Sequence, residues 1–191
     1  MKNICVFGSS SEIIDREYLD VAEQLGAQLA YRDYHVIFGA GRYGVMGAVA
    51  RGVMAENGGL TGISPDFFVD RNVLFTSYGE LVLTPSMRER KHLMEEKADA
   101  FVICPGGIGT LEEFFEVITL KQLGRHQKPI VILNTRGFYD PMIEMIAQSV
   151  GENFMSPDVN RLYSVAENLP EVLEQLENYE PFQYDKYAKE G

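Results

Sequence analysis

Little in this chain could form a disulfide, hold a metal or cross a membrane. Among 191 residues there are two cysteines, Cys5 and Cys104, and three histidines, His35, His92 and His126. Each cysteine stands near the end of an apolar run, which reads as a buried small hydrophobe, not a paired or reactive thiol. The histidines lack the spacing of a metal site, so no metal is expected. No apolar stretch is long enough to span a bilayer. The opening Met-Lys runs straight into a strand-like segment, without the charged and apolar regions of a signal peptide. A cytoplasmic protein is the expectation. Positive charge is scarce as well. Against 28 Asp and Glu there are 17 Lys and Arg, a net charge of −11, which argues against nucleic acid as a partner. A small basic pocket for a phosphorylated metabolite is compatible with that balance. Linkers, internal repeats and low-complexity segments are absent. One domain over 1–191 is expected, with a loose tail at 180–191.

What the chain does have is alternation. Apolar runs at 3–7, 35–38, 60–64, 80–84, 100–104 and 129–134 read as strands. Between them lie helical periods, such as Tyr18, Val21, Ala22, Leu25 and Leu29 on one face. Further helices are expected at about 45–57, 87–98, up to about 123, and over "YDPMIEMIAQSV". A last one carries Leu169, Val172, Leu173 and Leu176, with Pro170 in its first turn. Strands without internal alternation, each followed by a helix, mean an α/β fold: a Rossmann-like, doubly wound parallel sheet with helices on both faces. The least regular stretch is 65–79, which reads as a binding loop or an ordinary connection.

In such a sheet, ligands collect at the carboxyl ends of the strands. Two loops there are glycine-rich and one is basic, which points to a phosphate-bearing ligand. Gly39, Gly41 and Gly44 match G-x-G-x-x-G after a strand. The acidic residue that would confirm a dinucleotide site about 20 residues on is missing, since Asp66 follows Pro65 in a loop. A tight turn packing helix against sheet is the better reading. The stretch 87–91 places Arg88, Arg90 and Lys91 in a helical first turn, where cations oppose the dipole. They form either a solvated basic turn, capped by Ser86 and Glu89, or a grip on an anionic ligand. In "PGGIGTLEE", a loop suited to an anion is followed at once by Glu112 and Glu113. Thr110 and Glu113 have the spacing of a capping box, which would account for a carboxylate there without any function.

These residues resemble the LOG ("Lonely guy") family of cytokinin riboside 5'-monophosphate phosphoribohydrolases, often labelled lysine decarboxylase-like. The family pattern P-G-G-x-G-T-x-x-E stands at Pro105 to Glu113, and its partner M-x-x-R-K at Met87 to Lys91. Similarity extends over "KNICVFGSS", "FGAGRYGVMGAVA", "EEFFEVITLKQLGRHQKPIVILN" and "GFYDPM". Ala40 stands where many members have a third consecutive glycine, and Phe67 about where plant members carry an acid.

The resemblance implies hydrolysis of the N-glycosidic bond of a purine nucleoside 5'-monophosphate, cytokinin-type or AMP, to free base and ribose 5-phosphate. It implies no cofactor, and a homodimer or dimer of dimers. Arg90 and Glu113 match the catalytic pair. Lys91, Gly106, Gly107, Gly109, Thr110, Glu112 and Thr119 match substrate-binding positions. Met87 in the basic motif, with Ser9 and Gly41 in neighbouring loops, completes the expected set. The alternative is a non-catalytic module that binds a nucleotide or a phosphorylated cofactor, since molybdenum-cofactor carriers look similar around the glycine loop. A pyridoxal-dependent decarboxylase would need a Schiff-base lysine, and Lys91 is the only lysine in a motif.

Overall fold

Four- to six-residue apolar runs are short for helices and rich in Val, Ile and Phe, so they extend and pair. The computed structural model describes residues 2–182. Its strands are β1 (Asn3–Phe7), β2 (His35–Phe38), β3 (Leu60–Pro65), β4 (Glu80–Thr84), β5 (Ala100–Ile103), β6 (Ile130–Leu133) and β7 (Ser164–Ala166). The helices are α1 (Arg16–Tyr31), α2 (Gly44–Ala55), α3 (Met87–Lys97), α4 (Ile108–Gln122), α5 (Asp140–Gly151) and α6 (Leu169–Glu177). All seven strands are parallel, in the order β4-β3-β2-β1-β5-β6-β7.

Each sheet face is covered by its own apolar layer. Leu25, Leu29, Val49, Val53, Val172 and Leu176 of α1, α2 and α6 pack on one side. Met94, Phe114, Val117 and Ile146 of α3, α4 and α5 pack on the other. Cys5 and Cys104 are buried and free, as their apolar surroundings suggested. Burial pushes the Cys104 thiol up to about 12.

Strand order reverses between β1 and β5. From β1 the chain steps outward to β4, then returns to start β5 on the other side. At such a switch point the loops after the two strands diverge and leave a crevice at the carboxyl edge.

The structure departs from the sequence expectations in three places. β7 is an additional edge strand of only three residues, too short to register as an apolar run. Residues 66–71 form a 3-10 helix, and Gly41 bridges to Leu74, so the 65–79 stretch is partly ordered against the second loop. The capping box expected at Thr110 and Glu113 does not form: α4 begins at Ile108 with Gly107 as N-cap and no side-chain cap. Thr110 therefore lies inside the first turn, and Glu113 is drawn sideways to another partner. The Ser86 cap is present, its Oγ accepting from Glu89 N at 3.2 Å. The tail expected at 180–191 lies, from residue 183 on, outside the described residues. No helix of the described residues is long and apolar enough to cross a membrane.

Candidate active site

A cleft of about 580 Å³ opens at the switch point. Its walls come from the loops after β1, β2, β3 and β5 and from the first turns of α3 and α4. Of the expected site residues, Ser9, Gly41, Met87, Arg90, Gly107, Gly109, Thr110, Glu112 and Glu113 line it. Gly106, Lys91 and Thr119 do not.

Gly106 lies behind the loop, where its Cα packs on Thr110. Lys91 sits beside α4 and pairs with Glu112 and, at 2.7 Å, with Glu116. Thr119 is exposed further along α4, its hydroxyl donating to Phe115 O at 2.6 Å.

The two glycine loops behave differently. In the loop after β2, Gly44 has φ +60°, and a side chain there would strike the backbone carbonyls of Ser9 and Ser11. Met46 N, in the first turn of α2, donates to Ser9 O at 3.2 Å. Ala40 also adopts a left-handed conformation, with φ +59°, a strain that a glycine would avoid. Ala40 O accepts from Phe75 N at 2.8 Å, and Arg42 N donates to Val73 O at 2.8 Å. The chain thus packs its own segments into this loop and gives Met46 N an acceptor, so G-x-G-x-x-G serves here as a packing turn.

The loop after β5 is open. The N–H groups of Gly107, Ile108, Gly109 and Thr110 have no acceptor among the described residues, because the first helical bond is Leu111 N to Gly107 O. A Cβ on Gly107 or Gly109 would meet nothing within 4 Å. Unsatisfied N–H groups at the positive end of a helix dipole form an anion site. Ile108, at 87% exposure, stands clear of the core.

Beside this loop is a buried ion pair. Arg90 Nη1 donates to Glu113 Oε1 at 2.9 Å, and each residue is 7% exposed. Arg90 Nε donates to Ile63 O at 3.1 Å, which fixes the guanidinium plane. A Cβ on Gly39 would collide with Nη2, so only glycine leaves room for the arginine there. Glu113 Oε2 has no partner among the described residues and belongs to a side chain that lines the cleft.

Burial raises the Glu113 carboxyl above its usual range, and the neighbouring Arg90 opposes that rise. Two of the three cations at the start of α3 are therefore matched by carboxylates at the start of α4: Arg90 by Glu113, and Lys91 by Glu112 and Glu116. Burial pulls the Lys91 ammonium down, but its bonds to Glu112 and Glu116 outweigh that and leave it raised. A lysine held in its charged form is a poor amine nucleophile, which disfavours the Schiff-base reading.

The remaining walls are apolar or neutral: Tyr43, Met46, Phe68, Val73, Leu74 and the hydroxyls of Ser10, Ser11 and Ser64. Sequence reasoning did not assign these. The aromatic pair Phe67-Phe68 in the 65–79 stretch was the available signal. Only the tertiary bridge from Leu74 to Gly41 shows that this stretch folds over the cleft. No histidine lines the cleft. His126 is held low, at about 4, by burial, and its Nε2 bonds Val117 O at 2.9 Å.

Comparison with known proteins agrees with this geometry. A family model described as possible lysine decarboxylase matches residues 46–176. The cytokinin riboside 5'-monophosphate phosphoribohydrolase LOG2 of Arabidopsis thaliana is 39% identical over 188 residues, covering 98% of this chain and 88% of that protein. The probable enzyme of the same name, LOGL5, of Oryza sativa subsp. japonica is 38% identical over 187 residues, covering 98% and 76%. Among solved structures, the molybdenum cofactor binding protein of the phototrophic bacterium Rippkaea orientalis superposes with a TM-score of 0.70 at 21% identity, over 92% of this chain and 95% of that one. The molybdenum cofactor carrier protein of Chlamydomonas reinhardtii gives 0.70 at 21%, over 93% and 99%. At those identities the two structures share the fold.

Proposed function

The chain belongs to the LOG family, and from that premise we propose that it hydrolyses the N-glycosidic bond of a purine nucleoside 5'-monophosphate, releasing free base and ribose 5-phosphate. The observation that carries this reading is the buried Arg90–Glu113 pair at the edge of a helix start whose N–H groups the chain leaves open. In this reading the 5'-phosphate accepts from the N–H groups of Gly107, Gly109 and Thr110, where the α4 dipole favours an anion. The ribose then lies over the first turn of α4.

Breaking the glycosidic bond develops positive charge on the sugar, as in other glycoside hydrolyses. Glu113 Oε2, unengaged by protein, faces that charge and orients the attacking water or a ribose hydroxyl. Arg90 holds the Glu113 carboxylate in place and presents its remaining N–H groups to substrate. Glu112 contacts the ribose, with Lys91 fixing it from behind. The base occupies the apolar end between Met46, Phe68, Val73, Leu74 and Met87. No metal or cofactor takes part in this scheme. A single domain, a cytoplasmic location and a homodimer or dimer of dimers belong to the same reading. Thr119 reaches substrate in it only across a contact between protomers.

The test is a product assay. Purified protein is incubated with AMP, the other common 5'-monophosphates and N6-isopentenyl-AMP, and base and ribose 5-phosphate are quantified. The reading expects both products in equal amounts from a purine nucleotide. Tight nucleotide binding without release of base would overturn it in favour of a carrier.

A further inference from the structure

Tyr139, at the start of α5, is 1% exposed and among the largest fully buried side chains. It lies directly behind the glycine loop. Its hydroxyl donates to Cys104 O at 2.8 Å. The carbonyl it holds leads directly into Pro105, which has no N–H of its own. On the other side, Pro105 O accepts from Ser9 N at 3.2 Å.

The tyrosine is itself fixed. Its N–H donates to Asn134 Oδ1 at 2.8 Å. Asn134 Nδ2 in turn donates to Asp140 Oδ1 at 2.8 Å and to Glu167 Oε1 at 3.1 Å. Phe138 stacks edge-on against the ring at 4.9 Å. Burial raises the phenol above its ordinary value, so it stays protonated and remains a donor.

The carbonyls of Cys104 and Pro105 are thus tied by Tyr139 and Ser9, while residues 107–110 line the cleft with their N–H groups unpaired. The two facts are linked by geometry. Peptide planes are rigid, so fixing the Cys104 and Pro105 carbonyls fixes the two planes through which the chain approaches Gly107. An anion held only by backbone N–H groups depends on that direction, because there is no side chain to adapt.

We propose that Tyr139 is a positioning residue for the phosphate-binding loop, its hydroxyl setting the orientation of the N–H groups at Gly107 to Thr110. This rests on the reading of that loop as the seat of the 5'-phosphate. The role is specific to one half of the substrate: it bears on groups that carry phosphate and not on the base.

Tyr139→Phe removes one oxygen and keeps the ring. Four quantities are measured: KM and kcat with AMP, Ki for ribose 5-phosphate, and Ki for adenine. Thermal melting checks the fold. The expected result is a rise of about tenfold in KM for AMP and in Ki for ribose 5-phosphate, with kcat within about twofold and Ki for adenine unchanged. Unchanged ribose 5-phosphate inhibition would overturn the proposal, as would an equal weakening of adenine, which would mean general loosening of the cleft.

If the wild-type protein released no base, the hydrolase reading would fail separately. Calorimetric titration with ribose 5-phosphate would then decide the proposal. Weaker binding by Tyr139→Phe would support it, and equal binding, or no binding to wild type, would overturn it.

Discussion

The two glycine-rich loops look alike in sequence and do opposite things. After β2, the chain sets the Ser9 carbonyl on Met46 N and lays residues 73–75 along the loop. After β5, it leaves four N–H groups unpaired and two glycines facing empty space. A glycine pattern reports backbone freedom and close approach, and these serve packing as readily as binding. What separates the two uses is whether the chain packs its own segments into the loop. Here it does so at one loop and leaves the other open, and the buried ion pair stands beside the open one.

The contrast can be broken most sharply at Gly109. Gly109→Asp puts a carboxylate into open space in the first turn of α4, where it suits the helix dipole. The expected result is a loss of about a hundredfold in kcat/KM for the nucleotide with no fall in melting temperature, because the side chain occupies the phosphate position. Steady-state kinetics and a thermal melt read both halves.

At the other loop the expectation reverses. Gly44→Ala must hold a left-handed conformation against the Ser9 and Ser11 carbonyls. A stability loss of about 2–4 kcal/mol is expected in denaturant unfolding. Gly109→Ala, in the open loop, should instead stabilise by about 0.5–1 kcal/mol, as an unstrained glycine replacement in a helix does.

The pH dependence gives a subtler check. In the proposed mechanism Glu113 acts as a carboxylate, so kcat/KM should fall as pH drops through its pKa. Burial raises that pKa against the pull of Arg90, and the acid limb should lie above the ordinary glutamate value of about 4.3. Glu95 titrates at about 7, raised by burial and then by Glu116. The limb should survive Glu95→Gln if it belongs to Glu113.

Much of the fold was legible in the sequence because buried parallel strands advertise themselves as unbroken apolar runs. β1 to β6 are found within a residue of where those runs lie. β7 was not legible, since three residues, Ser164 to Ala166, carry no period, and their strand character comes from pairing with β6. At the site, spacing alone favoured Glu113 as a cap for Thr110. Its true partner, Arg90, is 23 residues away, and only the placement of α3 and α4 on the same sheet face brings them together. Likewise Phe68, Val73 and Leu74 sit in an irregular stretch, and their place in the cleft follows from a tertiary bridge. Tyr139 lay within a motif that matched the family, yet nothing local marks a hydroxyl that reaches Cys104.

The most direct measurement is a comparison of binding and turnover in Glu113→Gln. AMP affinity by calorimetry and base release under saturating AMP are determined for wild type and variant. The account predicts affinity within a few fold and base release reduced by about a thousandfold, since the amide keeps the shape but not the charge. Base release near the wild-type rate would contradict it and leave Glu113 as no more than the partner that holds Arg90.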